Sequence, residues 1–202
     1  MGFVYVLRSG ETDFFKVGRT ESDVEGRVKQ LSTGNPVPLV IFDVIETDYA
    51  ARCETFLHNR LQARRSRESD AKEFFAIGAT EMREEIAAAR DYALNDLPKA
   101  AQVAALAVVE CEDRWVEPSA DAHRVFEELL QVRAAQAALQ VERDRLENEL
   151  KLVIGPTLGL EGLASWKVVP GHRFDAERFA QEHPEIYVTY YVETRQRTFR
   201  LL

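Results

Sequence analysis

Only two cysteines occur in the 202 residues, Cys53 and Cys111, far apart and without metal-type spacing. This excludes a disulfide scaffold and a zinc-ligand pattern, and it fits a reducing compartment. No apolar run approaches the length of a membrane span and no signal-peptide pattern opens the sequence, so a cytoplasmic protein without membrane attachment is expected. Internal repeats and low-complexity stretches are absent too. What is present is enough apolar material, 46% of residues with 9% aromatic, to bury a core, which excludes wholesale disorder. The length suits one ordinary domain with an appendage, or two small domains.

The formal charge of -8 argues against a nucleic-acid partner only if it is spread evenly, and it is not. Residues 1–77 carry 11 Lys/Arg against 12 Asp/Glu, residues 78–149 carry 8 against 16, and residues 150–202 carry 7 against 6. The acidity therefore sits in the middle, and the near-neutral ends are free to present basic faces such as Arg60, Arg64, Arg65 and Arg67.

The chain is organised around Phe3-Val4-Tyr5-Val6-Leu7 and Phe14-Phe15-Lys16-Val17-Gly18-Arg19-Thr20, two β-type runs around a turn-rich Ser9 to Asp13. They read as a hairpin, with one reactive polar residue in each strand, Tyr5 and Lys16. Gly18 permits a turn or a close approach, and Arg19 follows it at once. Ser22-Asp23-Val24-Glu25 reads as a capping box opening a helix with Val24, Val28 and Leu31 inward, stopped by Thr33-Gly34-Asn35-Pro36. Leu39 to Ile45 reads as a third strand. A helix from about Asp48 follows, with Cys53, Phe56, Leu57 and Leu61 inward. It runs out in the basic stretch Arg64 to Lys72. Glu73 to Ile77 then leads into a helix over about Glu81 to Leu94. The order β-β-α-β-α-(short apolar run)-α is a compact α+β unit.

Leu97-Pro98 reads as a helix break, Ala100 to Val109 as helical, and Glu117-Pro118-Ser119 as a boundary. From about Asp121 to Val153 the spacing of Leu129, Val132, Leu139, Leu146, Leu150 and Val153 alternates three and four, with Gln136 and Arg143 interrupting the seam. One amphipathic helix docked on its own chain and a dimerising coiled coil both satisfy this pattern. After Ile154-Gly155-Pro156 the last segment is rich in aromatics. It reads as a small α+β module with a helix near Asp175 to Glu182 and strands near Tyr187–Tyr191 and Thr198–Leu202. The domain limits are then 1–95, 96–153 and 154–202.

On a helical wheel Arg27 falls within the Val24–Val28–Leu31 arc, where a guanidinium needs an anionic partner; a snorkelling surface arginine is the commoner fate. Glu54 and His58, four apart, meet on one helix face, which by itself usually marks a surface contact. A carboxylate in a cleft can hold Mg²⁺ together with phosphate oxygens. Glu73, before the apolar Phe74-Phe75 pair, reads as an exposed carboxylate at a strand end, the alternative being a group that supports the site residues from behind. Taken singly, Tyr5 is a core tyrosine and Lys16 an exposed strand lysine.

Together these residues resemble the GIY-YIG nuclease superfamily. Val4-Tyr5-Val6 stands at the GIY motif, Lys16-Val17-Gly18 at the YIG motif, Arg27 at the helix arginine and Glu54 at the metal-binding glutamate. The likeness is closer to a phage- and bacteria-associated branch with Lys-Val-Gly-Arg-Thr (Lys16 to Thr20), Glu-x-x-x-His (Glu54 to His58) and Glu-Phe-Phe (Glu73 to Phe75). It covers about residues 2–77. Lys16 replaces the second tyrosine, and Leu31 stands where many relatives have a histidine. Trp166-Lys167, Arg173-Phe174-Asp175, Glu182-His183-Pro184-Glu185-Ile186-Tyr187 and Arg197-Thr198-Phe199-Arg200 make residues 160–202 similar to the tail of YqaJ-type phage exonucleases, which implies an accessory module for DNA or a partner; a capping subdomain with core aromatics is the alternative.

The resemblance implies a GIY-YIG-like sheet flanked by helices and metal-dependent hydrolysis of DNA. Tyr5 would position or deprotonate water beside Lys16, Arg27 and Arg19 would balance phosphate charge, and Glu54 would hold Mg²⁺ or Mn²⁺. His58 would shuttle a proton, since imidazole titrates near neutrality. Which of Tyr5, Lys16 and His58 carries the proton stays open. DNA is the expected partner, with a homodimer through residues 121–153 if that helix is a coiled coil. The rival readings are a DNA- or protein-binding module of the same fold without cleavage, and an interaction protein organised by the long helix.

Overall fold

The computed structural model describes residues 1–33, 37–66, 73–192 and 197–202. The chain divides into two compact units, one of Met1–Val109 and Gln196–Leu202, the other of Glu110–Arg195.

In the first unit β1 (Gly2–Ser9), β2 (Phe14–Thr20), α1 (Val24–Ser32), β3 (Leu39–Thr47), α2 (Ala50–Arg60), β4 (Phe74–Ala76) and α3 (Ala79–Asp91) follow one another. The sheet is antiparallel in the order β3-β1-β2-β4. β1 and β2 are its central strands, which is why their apolar runs are nearly continuous: both faces are covered. Val4, Val6, Phe15, Val17 and Phe75 pack with Cys53, Leu57 and Leu61 of the α2 segment and Met82 and Ile86 of α3. On the other face Tyr5, Leu7 and Leu39 meet Val24, Val28 and Leu31 of α1. Leu39 and Ile45 are six apart in one strand and would share a face in a regular ladder. The register shift against Val6/Leu7 inserts a residue into β3 and sends them to opposite faces.

The hairpin closes through Gly10, at φ 56°, whose N–H donates to Pro38 O at 2.9 Å. Arg8 clamps the loop by donating to Thr12 O at 2.7 Å and Glu11 O at 3.0 Å. The α1 cap is Asp23, one residue later than the capping-box reading: its carboxylate accepts from Glu25 N and Gly26 N. α1 ends at Ser32, and Gly34 to Pro36 of the expected stop lie outside the described residues. Cys53 is fully buried, and burial pushes its thiol up to about 11, so it acts as a small apolar core residue.

Leu97-Pro98 does not break the helical path. α3 passes through a π-type turn at Tyr92–Asp96 into α4 (Leu97–Leu106), with Pro98 in the first turn of α4, where its missing N–H costs nothing. Tyr92 stacks on Phe56 of α2 with centroids 4.3 Å apart.

In the second unit Ser119 caps α5 (Ala120–Ile154), accepting from Ala122 N, and Gly155 at φ 57° ends it. Of its residues only Ile154 is buried. A two-residue hairpin of β5 (Gly159–Leu160) and β6 (Ala164–Ser165) follows, then α6 (Ala176–Glu182) and α7 (Pro184–Tyr190). The expected strand at Tyr187–Tyr191 is thus helical up to Tyr190: Pro184 at the helix start pre-sets helical φ, and no strand among the described residues is there to pair. Among residues 197–202 no strand forms either. Trp166, Phe174, Tyr190 and Tyr191 are exposed and not core, because two seven-residue helices and a minimal hairpin supply no second layer to cover them.

Candidate active site on the second strand

β2 sorts the predicted residues by its alternation. Lys16 and Gly18 lie on the α1 face with Tyr5, which sits directly opposite Gly18 in the ladder. Val17 and Arg19 lie on the α2 face. β4 pairs β2 only from Phe14 to Lys16, and Glu73 O takes the Val17 N–H at 3.1 Å. Beyond that point no strand among the described residues pairs the outer edge of β2, and the candidate groups flank this end from both faces.

Tyr5 is 2% exposed, and its ring lies against Gly18 so closely that a Cβ there would be 2.5 Å from Oη and 2.7 Å from Cζ. Its hydroxyl has no hydrogen-bond partner among the described residues. Glycine is thus required for contact, not for its φ. We expect Gly18→Ala to cost about 1–3 kcal/mol, because the buried ring must move. Urea denaturation measures this, and Gly18→Ala combined with Tyr5→Leu should recover most of the loss.

Lys16 is 6% exposed, and its ammonium pairs with the Glu73 carboxylate while lying 5.2 Å from the Phe74 ring centroid. Lys16 is therefore not an exposed strand lysine and Glu73 is not a bystander. Glu73 is the residue sequence reasoning underrated. The available signal was physical: a lysine inside an apolar strand needs a counter-charge.

Arg19 forms an ion pair with Glu54, Nε lying 3.1 Å from Oε2, with Glu21 a looser neighbour at 3.8 Å. A cleft of about 480 Å³ opens beside Arg19, lined also by Gly2, Glu21, Tyr49 and Arg52. Glu54 and His58 do share the β2-facing side of α2 but do not bond each other. His58 Nε2–H donates to Val17 O at 3.2 Å, with the ring edge-on to Phe75. Since a carbonyl only accepts, Nε2 carries a proton and Nδ1 is the nitrogen left to exchange one.

Arg27 is not inside the apolar arc. It is exposed and its Nη1 donates to Gln30 Oε1 of its own helix at 3.3 Å, with no carboxylate in pairing distance among the described residues. The reason is that α1 is short and buries none of its residues fully, so the edge of its arc is already in water. The anticipated basic face is largely neutralised, since Arg60 pairs with Glu85 and Arg64 with Glu81 at 2.8 Å. Arg65 lies over Phe75, and Arg67 lies outside the described residues.

No three of His, Cys, Asp and Glu gather into a ready-made metal cage among the described residues. Glu54, a single partly exposed carboxylate, suits Mg²⁺ all the same, because that ion takes one or two carboxylates and keeps water or phosphate oxygens for the rest.

Residues 2–90 match the T5orf172 domain. This is a phage-associated domain found in nuclease-like contexts. The T5orf172 match begins with β1 and ends within the last turn of α3, so it takes in the sheet, α1 to α3 and every candidate site residue. No curated protein and no solved structure matches the chain. No helix among the described residues is long and apolar enough to cross a membrane.

Proposed function

We propose that the T5orf172-like region is a metal-dependent endonuclease of GIY-YIG type that hydrolyses phosphodiester bonds in DNA. The observation that carries this reading is the grouping at the Gly18–Thr20 end of β2. There the Tyr5 hydroxyl, without a hydrogen-bond partner among the described residues, lies against Gly18, Arg19 forms an ion pair with Glu54, and His58 is fixed on the Val17 carbonyl.

In this reading Tyr5, on the α1 face, orients the attacking water and takes part in its deprotonation, while His58 Nδ1, on the α2 face with Glu54, serves proton transfer on the metal side. Arg27 needs no rearrangement to meet a phosphate oxygen, since only a neutral amide holds it. Arg19 is held to Glu54 until a phosphate offers a competing anion. Mg²⁺ or Mn²⁺ on Glu54 supplies Lewis-acid stabilisation of the leaving oxygen. Lys16 has its charge balanced by Glu73, so its part is to hold β2 and β4 in register beside Tyr5.

Supercoiled plasmid incubated with the purified full chain tests this. We expect nicking with Mg²⁺ or Mn²⁺, none with EDTA, and a loss of about 10²–10³-fold in Arg27→Ala, the size of removing one transition-state charge partner. Equal cleavage by wild type and Arg27→Ala would overturn the assignment of the site. No cleavage with metal, together with DNA binding weakened by Arg27→Ala, would replace the enzyme by a binding module of the same fold.

A further inference from the structure

α5 leaves an apolar seam without a partner. Written as heptads, its a positions are Ala122, Leu129, Gln136, Arg143 and Leu150, and its d positions are Val125, Val132, Leu139, Leu146 and Val153. Every d residue is apolar and every d residue is exposed, Leu139 at 70% and Val153 at 70%. The groove on this helix is lined by Val132, Ala135, Gln136, Leu139, Gln140 and Arg143, all at a, d, e or g positions. The strict seven-residue period drifts by about 20° per heptad on a straight helix, so it cannot stay on one flat docking face. Only supercoiling about a like helix keeps it together.

The geometry points to a second copy of this chain as the occupant, with two α5 helices wound in parallel and in register. Three observations choose that arrangement. First, Arg133 is the one arginine of α5 without an ion-pair partner among the described residues. Arg124 pairs with Glu128, Arg143 with Glu147, and Arg145 with Glu142 and Glu149. Arg133 is an e residue, and in a parallel dimer the g residue that reaches it from the other copy is Glu128. Second, Gln136 at an a position meets its own counterpart, so the two amides bond each other and fix the register. The parallel register also sets Arg143 opposite its counterpart, each guanidinium already balanced by Glu147 of its own helix. In the antiparallel arrangement that keeps this seam in contact, Gln136 faces Leu139 and Arg143 faces Val132, so neither polar group meets a polar partner across the seam. Third, Glu142 and Glu147, which also meet across a parallel dimer, are already neutralised within the helix by Arg145 and by Arg143 and Lys151. By chain connectivity alone, a parallel α5 pair emerges from its N-terminal end into two T5orf172-like regions, giving one assembly two candidate active sites. The dimer stands or falls independently of the nuclease reading.

Sedimentation equilibrium of the full chain should give twice the chain mass of 23.0 kDa at micromolar concentration. Leu139→Glu should weaken association at least 100-fold. Glu128→Arg and Arg133→Glu should each weaken it, and the two together should restore it, which a merely misfolded variant would not do. Val132→Cys on a Cys111→Ser background should form a 132–132 disulfide under mild oxidation. A monomer at high concentration, or a dimer indifferent to Leu139→Glu, would overturn the interface. A dimer that forms no 132–132 disulfide would overturn its parallel register.

Discussion

Glu54→Gln will lower metal-dependent DNA cleavage by about 10²–10³-fold while shifting the melting temperature by no more than about 4 °C. Glutamine keeps the shape of the side chain and a carbonyl oxygen beside the Arg19 guanidinium, so the contact between α2 and β2 is kept. What is lost is the negative charge, which in the proposed reading draws the divalent cation to this position. The stability cost is small because the Arg19 side chain is 45% exposed, and an ion pair reached by water contributes roughly 0.2–1 kcal/mol. Glu54→Asp keeps the charge but withdraws it by one methylene, and an intermediate loss is expected. Plasmid nicking measured beside a thermal melt separates the two effects. Cleavage within about threefold of wild type in Glu54→Gln, with the protein folded, would remove Glu54 from the mechanism.

The N-terminal fold is legible wherever a strand-length apolar run or an apolar helix stripe is bounded by turn residues. The β1–β2 hairpin, β3 and α2 follow from such patterns, and each is central enough that packing and propensity agree. Legibility fails where two local signals compete. Tyr187-Val188-Thr189-Tyr190-Tyr191 has strand-type side chains, but Pro184 starts a helix and no neighbouring strand rewards the alternative. Pro98 is a breaker in a helix interior and a good residue in a first turn, and only the π-type turn before it decides which applies.

The candidate site divides the same way. The pairing of Tyr5 with Gly18 is implied by the hairpin register, so the sequence carries it. The bond from Arg19 to Glu54 depends on how α2 lies across β2, and the pairing of Lys16 with Glu73 on where β4 ends; neither distance along the chain suggests a contact. Arg27 shows the limit of a helical wheel. The wheel gives the direction of a side chain, but whether that direction is buried depends on how deep the helix sits, and α1 sits shallowly.

Glu73→Ala should be the most destabilising surface-accessible change in the T5orf172-like region, at about 2–3 kcal/mol. Lys16 is 6% exposed, so removing its counter-charge leaves an ammonium against apolar neighbours on β2 and the Phe74 ring. Breaking a fully buried pair costs about 3–5 kcal/mol. The Glu73 side chain is 48% exposed, so water partly replaces it and the lower figure follows. At about 2–4 °C per kcal/mol the melting temperature should fall by roughly 5–10 °C. Lys16→Met with Glu73→Gln removes the charge and its partner together, and should recover most of that loss, since apolar replacements of buried pairs are often neutral. A double-mutant cycle by urea denaturation measures the coupling. A loss under about 0.5 kcal/mol in Glu73→Ala would mean that Lys16 reaches water unaided. The Lys16→Met, Glu73→Gln protein also decides what Lys16 does. If it is stable and still cleaves DNA, the lysine serves the register of β2 and β4; if it is stable and inactive, the charge itself belongs to the chemistry.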